Sequence, residues 1–516
     1  MTTAEIHEVI TAFGEAARRV REGGMDGVEI LGAFGLLIAA FMSPHTNRRT
    51  DAYGGSRDNR LRFAIEIIDA VRGAAGPDLI VGMRIPGDEL NEDGLDHAAM
   101  REIAPCLEAT GKLDYLNVIA GNNLDRIHRT THWPPTPAPH GLFVPLAAGI
   151  RKVVSLPVFA VGRIIDPVHA EAILAEGKAD MVGMTRAHIA DPDLVTKARE
   201  GRLEDIRPCV GANVCIKRAL AGTRITCVQN PEAARELEMG PAKPTAKARD
   251  VAVIGGGPGG LEAARVLAER GHRVALYEAD TILGGQFALR ASIPNWEEFQ
   301  AVIDWRRRQL AKFQVRIEFG RLIKAEDIVE LGVDAIVLAT GARPRVELVP
   351  GSESANVEVA TPHDVIREGR ADAPVAVVWD HGGGVIGAGV IDYLAAKGSQ
   401  ISVVTPASAI AEDIDLVQRV PFYERVLSAG ARFLPNCEVV CVKDSEVVIE
   451  NVYTLEQTQI DNVDLLVAWR GNQVVDDLRQ AIEAAGIEFH MVGDGLAPRT
   501  ADIAIAEGML AGRRIV

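Results

Sequence analysis

The chain has 516 residues, is 47% hydrophobic and carries a formal charge of −16, from 55 Lys and Arg against 71 Asp and Glu. That acidity leaves no basic footprint for a phosphate backbone, which excludes nucleic-acid binding, and no run of about 18 apolar residues offers a membrane span. At roughly 100 to 200 residues per domain, a chain of this length predicts two to four cores.

With 50 Gly and only 5% aromatic residues, the composition suits α/β architecture with glycine-bearing strand-to-helix turns. The start, MTTAEIHEVITAFGEAARRV, reads as an amphipathic helix and not as an export signal, so a cytoplasmic protein is expected. Helix-then-strand units follow in order: a helix over 5–23 and GVEIL, 57–74 and LIVGMRI, 97–110 and YLNVIAG, 144–154 and PVFAVGRI, 167–177 and DMVGMTRA. Their strands lack the alternation of a half-exposed sheet, which predicts a parallel sheet covered by helices. A closed (β/α) barrel has eight strands in about 250 residues. Five strands therefore predict an incomplete TIM-type barrel over 1–206, and three missing N-terminal strands suggest that the sequence starts at an internal methionine.

Six cysteines in so long a chain make no disulfide framework, but Cys209, Cys215 and Cys227 crowd into one loop within 207–248. The end of that segment, PEAARELEMGPAKPTAKARD, reads as a solvated linker. A new fold begins near Asp250 with VAVIGGGPGGLEAARVLAERGHRVALYEAD, a strand, glycine turn, helix and strand. Gly255 permits the tight turn, Gly257 lets backbone N–H groups reach a pyrophosphate, and Gly260 brings helix close to sheet. Glu278, ending the next strand, is placed for ribose hydroxyls.

A second turn, Gly382, Gly384 and Gly387, has the same spacing, but Trp379, Asp380 and His381 precede it and the following strand ends in Thr405. Two readings stay open for it: NAD(P)H binding, or a Rossmann-like domain holding ADP or nothing. The predicted layout is an FAD-type domain over 249–365 and 475–516 with this second dinucleotide domain, 366–474, inserted.

Three further segments resemble those of flavoproteins with two dinucleotide domains: GlyGlyGln at 284–286, ATGARP at 339–344 and VGDGLAP near the C-terminus. The resemblance implies FAD, with Gly285, Gln286, Gly341, Gly493 and Asp494 among its contacts. HTNRRTDAYGGSRDNRLRF at 45–63, VGRIIDP at 161–167, ADMVGMTRAHIADPDL at 179–194 and RPCVGANVC at 207–215 resemble the Old Yellow Enzyme-type NADH:flavin oxidoreductase family. The group meant is that of trimethylamine dehydrogenase, 2,4-dienoyl-CoA reductase and the N-methyl demethylases.

This resemblance covers almost the whole chain. It implies an FMN-bearing barrel, a four-cysteine iron–sulfur loop and an FAD module, with a small-molecule substrate, an electron-carrier partner and a homo-oligomer. By it, Arg84 lies beside the FMN pyrimidine, and Gly162, Arg163, Gly183 and Arg186 bind the FMN phosphate; read without it, these arginines form ion pairs at the barrel rim. Cys209, Cys215 and Cys227 match the first, third and fourth cluster ligands, while Ala212 stands at the second, so a 4Fe-4S cluster, a three-iron form and no cluster all remain open.

Where relatives carry Tyr, His or Asn over the flavin, this chain has Leu31 and Phe34, which transfer no proton. Asn122 and Asn123 stand where relatives carry Asp or His, and Asp125, His128, His132 and His140 follow on the same loop as candidate acids or bases, with Asn122, His128 and His132 as the catalytic candidates. The function implied is a flavin-dependent oxidoreductase. Two directions are open, dehydrogenation or N-demethylation of a methylated amine or betaine and reduction of an activated C=C bond by NAD(P)H; the rival is a non-catalytic FAD-binding electron-transfer protein.

Overall fold

The computed structural model describes residues 1–346, 348–370 and 372–516, and falls into two compact units, Met1–His188 and Ile189–Val516.

The first unit opens with the helix Thr3–Glu22, started by a capping box between Thr2 and Glu5 and finished with Arg19 and Arg21 in its last turn, where the helix dipole favours cations. It lies against the helix Arg57–Ala75 so closely that a Cβ on Gly14 would stand 3.2 Å from the Ala70 carbonyl oxygen. Five strands form one sheet in chain order, every pair parallel: β1 (Gly27–Leu31), β2 (Ile80–Asp88), β3 (Tyr115–Ala120), β4 (Val158–Ala160) and β5 (Met181–Val182). This is the (β/α) order expected. β4 and β5 are shorter than the sequence suggests. Gly162 (φ 110°) and Arg163 (φ 53°) turn out of extended conformation after β4, and the helix Thr185–Ala190 starts three residues after β5.

The second unit holds two parallel five-stranded sheets. One has the order β20–β9–β6–β7–β8, built from β6 (Asp250–Ile254), β7 (Arg273–Tyr277), β8 (Arg316–Glu318), β9 (Ala335–Leu338) and, from the far end of the chain, β20 (Glu488–Met491). β10 (Ala342–Pro344) and β19 (Asn472–Val474) pair antiparallel, so the chain leaves and re-enters this sheet side by side. Between them lies the other sheet, β11–β18–β12–β13–β14, of β11 (Glu358–Ala360), β12 (Val375–Asp380), β13 (Gln400–Thr405), β14 (Arg432–Pro435) and β18 (Leu465–Trp469). A small antiparallel sheet of β15 (Cys437–Lys443), β16 (Glu446–Asn451) and β17 (Gln457–Ile460) covers it with Val439, Val442, Val447 and Ile449. The fold is α/β throughout, a parallel barrel-type segment followed by a dinucleotide domain with a second one inserted.

Residues 231–250 are largely solvent-facing, as expected of a linker, but are tied to distant elements. Arg513 donates to the carbonyls of Met239 at 2.6 Å and Gly240 at 2.9 Å, and Arg270 to that of Lys243 at 3.0 Å. Guanidinium groups from distant elements thus satisfy its carbonyls, a pairing that composition does not reveal. Residues 189–206 also belong to this unit. Asp191, fully buried, pairs with Lys197 at 2.6 Å and accepts from the Arg207 N–H at 2.8 Å, Asn230 donates to the Ile189 carbonyl at 2.9 Å, and Asp205 pairs with Lys312 at 2.6 Å.

Candidate functional site

In the first unit the register places Glu29 and Leu31 of β1, Gly82 and Arg84 of β2, Tyr115 and Asn117 of β3 and Phe159 of β4 on one face of the sheet. At its centre Arg84 pairs with Glu29 at 2.8 Å, and Glu29 also accepts from Asn117 at 2.8 Å and from the Tyr115 hydroxyl at 3.1 Å. Burial and the Glu29 charge push Tyr115 up to about 12, so it stays a donor. Tyr115 stacks on Phe159 with ring centroids 4.3 Å apart, and a Cβ on Gly82 would strike the Tyr115 ring at 2.0 Å. Leu31, on the same face, is 38% exposed, so the face is open beside the arginine. The sequence reading found Arg84 and missed Glu29 and Asn117. Their signal was present: a carboxylate and an amide inside otherwise apolar strands need partners.

The loop after β3 brings Asn122 and His132 to Phe34. Asn122 is fully buried, donates to the Glu89 carbonyl at 2.9 Å, accepts from the Leu124 N–H at 3.0 Å and bridges to Phe34. His132 packs on Phe34 (centroids 4.5 Å) and on Trp133 (4.0 Å), and burial with the nearby Arg129 charge lowers its pKa to about 4. His128, by contrast, lies on the short helix Arg126–Thr131, 2.7 Å from the Asp125 carboxylate that caps that helix. Of the three catalytic candidates, Asn122 and His132 thus meet at Phe34, the first holding the loop and the second as a neutral ring, while His128 pairs locally with Asp125.

His132 gives a test. Its folded pKa lies below its ordinary 6.5, so the stability it contributes is complete above pH 6.5 and is lost as pH falls toward 4. The expected loss is about 3 kcal/mol, seen as a steeper acid limb in urea melts of the native chain than of His132→Phe. Equal limbs would show that His132 titrates normally.

At the ends of β4 and β5, Arg163 is buried and donates to the Pro135 carbonyl at 3.1 Å and to that of Ala138, with the His140 ring nitrogen at 3.4 Å, while Arg186 donates to the Pro134 carbonyl at 3.0 Å. Both arginines thus clamp residues 134–140. Gly162 and Gly183 lie beside them, where a Cβ would meet Phe143 or Val161 at 2.7 Å.

In the second unit the turn after β6 leads into the helix Pro258–Glu269. Gly255 (φ 108°) needs glycine, since a Cβ would stand 2.2 Å from the Ala339 carbonyl oxygen, and Gly260 needs it for the 2.0 Å approach to the Gly255 carbonyl oxygen. A Cβ on Gly257 would meet nothing within 4 Å among the described residues. Glu278 accepts from the Gly256 N–H at 2.7 Å and from the Asp280 N–H at 2.8 Å. Gly285 (φ 52°) starts the helix Gly285–Ala291, a Cβ on it falling 3.6 Å from the Gly257 Cα. Gln286 donates to the Ala342 carbonyl and accepts from Asn472 at 3.0 Å, with the His363 ring at 3.1 Å. A Cβ on Gly495 would stand 3.3 Å from the Gly341 nitrogen, and Asp494, whose pKa burial raises, accepts from the Arg499 N–H at 3.0 Å. An open space at a helix N-terminus, flanked by a carboxylate at the next strand's end, fits a pyrophosphate and its ribose.

The cysteine loop fits its expected group poorly. Burial, with Cys209 and Cys215 nearby, pushes the Cys227 thiol up to about 12. Yet no set of three His, Cys, Asp or Glu side chains among the described residues is arranged to hold a metal ion. Ala212, at the place of the absent ligand, packs on the apolar core, and its carbonyl accepts from Gln418 at 2.9 Å. A cluster that needs four thiolates does not fit these residues.

Two family models match: the NADH:flavin oxidoreductase / NADH oxidase family over residues 1–205 and the pyridine nucleotide-disulphide oxidoreductase family over 249–495. N,N-dimethylglycine/sarcosine dehydrogenase of Chromohalobacter salexigens is 40% identical over 78% of this chain and 59% of its own. NADH oxidase of Thermoanaerobacter brockii is 36% identical over 96% of this chain and 75% of its own. Histamine dehydrogenase from Rhizobium sp. 4-9 superposes with a TM-score of 0.91 at 28% identity, covering 100% of this chain and 77% of that one. The chain thus spans about three fifths of the length of the dimethylglycine/sarcosine dehydrogenase it matches. Among the described residues no helix is long and apolar enough to cross a membrane. With a barrel-type segment ahead of a dinucleotide module, each matched by its own model, the chain belongs to the NADH:flavin oxidoreductase / NADH oxidase family, in its trimethylamine dehydrogenase-like group.

Proposed function

We propose that this protein is a flavin-dependent oxidoreductase acting on a small organic molecule, with FMN on the β1–β5 face and FAD at the β6 turn. The observation that carries the reading is the open cradle at Gly257, framed by Gly255, Gly260 and Glu278. FMN, when bound, exchanges a hydride with substrate and single electrons with one-electron partners. For FMN the residues offered are Arg84, whose cation would favour negative charge on a neighbouring ring, and the turns at Gly162, Arg163, Gly183 and Arg186 for its phosphate. For FAD they are Gly255, Gly257, Gly260, Glu278, Gly285, Gln286, Gly341, Gly493 and Asp494. No step is routed through the cysteine loop. A homo-oligomer with a carrier protein as electron partner follows from the family resemblance.

The dehydrogenase direction, oxidation of a C–N bond in a methylated amine, is favoured by what surrounds Arg84. Reduction of a C=C bond by hydride must be completed by a proton on the other carbon, whereas hydride loss from an amine carbon needs no acid. Leu31 and Phe34 offer none, the Tyr115 hydroxyl is held by the Glu29 carboxylate, Asn122 is committed to holding the loop, and His132 is neutral. The relation to N,N-dimethylglycine/sarcosine dehydrogenase supports the same substrate class.

Absorbance of the chain saturated with both flavins tests this reading. Two flavins per chain, bleached anaerobically by N,N-dimethylglycine or another methylated amine, are expected; one flavin, or two that no amine bleaches, would sink it. Arg84→Lys should slow that bleaching by about tenfold to a hundredfold in stopped flow, because a point charge replaces the planar fork. An unchanged rate would remove Arg84 from the site.

A further inference from the structure

The two glycine turns of the second unit have the same spacing and opposite contents. Two residues before the first glycine, β6 carries Val253, a fully buried core residue; at the same place β12 carries Asp380, also fully buried. The Asp380 carboxylate bends back into its own turn. Its Oδ1 accepts from the N–H of Gly382 at 3.0 Å and of Gly383 at 3.1 Å, and its Oδ2 has no hydrogen-bond partner among the described residues. Two glycines of the second turn, Gly382 and Gly387, are required by the protein's own side chains, while a Cβ on Gly384 would meet only the Gly382 carbonyl oxygen, at 3.5 Å. A Cβ on Gly387 would lie 2.6 Å from the Asp380 carboxylate, and one on Gly382 would lie 2.2 Å from the Trp469 indole nitrogen. In the first turn the corresponding Gly260 is required by backbone, and Gly257 faces open space.

We propose that Asp380 is the resident anion of the second glycine turn, setting a buried negative charge against the helix N-terminus and making the inserted domain refuse NAD(P)H. A carboxylate at the N-terminus of the helix Val385–Lys397 already answers the helix dipole, so a phosphate there meets a like charge at short range in a poorly solvated place. Asp413 adds a second carboxylate: its N–H donates to the Gly383 carbonyl at 2.9 Å, and its charge joins burial in pushing Asp380 up to about 6, against the pull of the Gly382 and Gly383 N–H groups and of His381. Asp380 is thus ionised in most molecules at neutral pH. Electrons then do not enter or leave through a nicotinamide bound at this turn. Only that consequence rests on the flavin reading above; the refusal of pyrophosphate does not.

The test is calorimetric titration of the full chain, saturated with FAD and FMN, with ADP-ribose and with 2′-phospho-ADP-ribose. These probes carry the adenosine pyrophosphate but no nicotinamide to stack on a flavin. No binding heat is expected from the native chain at millimolar probe, and at least about tenfold tighter binding from Asp380→Gly and Asp380→Ala, which remove the charge. Should neither variant keep its thermal melt and its FAD, Asp380→Asn, which keeps the shape and removes the charge, takes their place with the same reading. Submillimolar binding by the native chain that Gly384→Glu abolishes would overturn the proposal. So would a folded variant that gains nothing.

Discussion

Gly257→Leu should yield a folded chain that has lost FAD. Gly257 sits at φ −70°, ψ 176°, extended backbone that any residue adopts, and its Cβ direction is empty. A leucine there is therefore tolerated by the apo fold and occupies the space where backbone must approach the pyrophosphate. FAD affinity should fall by at least about a hundredfold, about 2.7 kcal/mol, with the thermal melt of the apo chain unchanged. Gly260→Ala is the contrasting case. Its Cβ would stand 2.0 Å from the Gly255 carbonyl oxygen, so it should lower both FAD binding and the apo melt. If Gly257→Leu still binds FAD normally, the cradle lies elsewhere.

The largest stability effect is expected at Arg306. It is fully buried on the helix Gln300–Lys312, with Nε 2.9 Å from the equally buried Glu262, Nη1 3.0 Å from Gln229 Oε1 and Nη2 3.1 Å from the Gln229 carbonyl. Glu262 also pairs with Arg265 at 2.7 Å. Burial alone would raise the Glu262 pKa, but the two arginines hold it well below the usual carboxylate range. Arg306→Met leaves a buried carboxylate short of a partner and should cost about 3–5 kcal/mol, whereas the double change with Glu262→Met should recover much of it. Urea midpoints of the two variants decide the matter. A single variant within about 1 kcal/mol of the native chain would mean that the pair is solvated. The Glu262 contribution should be complete above pH 4.5 and lost as pH falls through its lower folded value.

How far the sequence carried depended on whether a feature is local. The β6 turn was legible because glycine at 255 and 260 answers clashes with backbone a few residues away or on the adjacent strand. The five βα units were legible from unbroken apolar strands. Features that depend on what folds back from afar were not. Asp380 and Val253 precede identical spacings, and only the folded turn reveals that one side chain fills its own cradle. Nothing in the linker 231–250 announces that Arg513 ties it down, and Arg163 and Arg186 carried no sign that they would clamp residues 134–140. His132 was legible as a titratable group and not as a neutral one, since Phe34 reaches it from about a hundred residues earlier.

The attachment of residues 189–206 to the second unit bears on how such chains can be recombined. Family likeness to the flavin oxidoreductases runs to residue 205, while the first compact unit stops at His188. A crossover that exchanged front halves between relatives at 205 would carry off Asp191 and Asp205 and leave the Arg207 N–H, Asn230 and Lys312 facing a stranger's side chains. Chimeras joined at 188/189 keep those partners together. Ancestral shuffling of front and rear modules would have left its scars there, upstream of the boundary that sequence similarity draws.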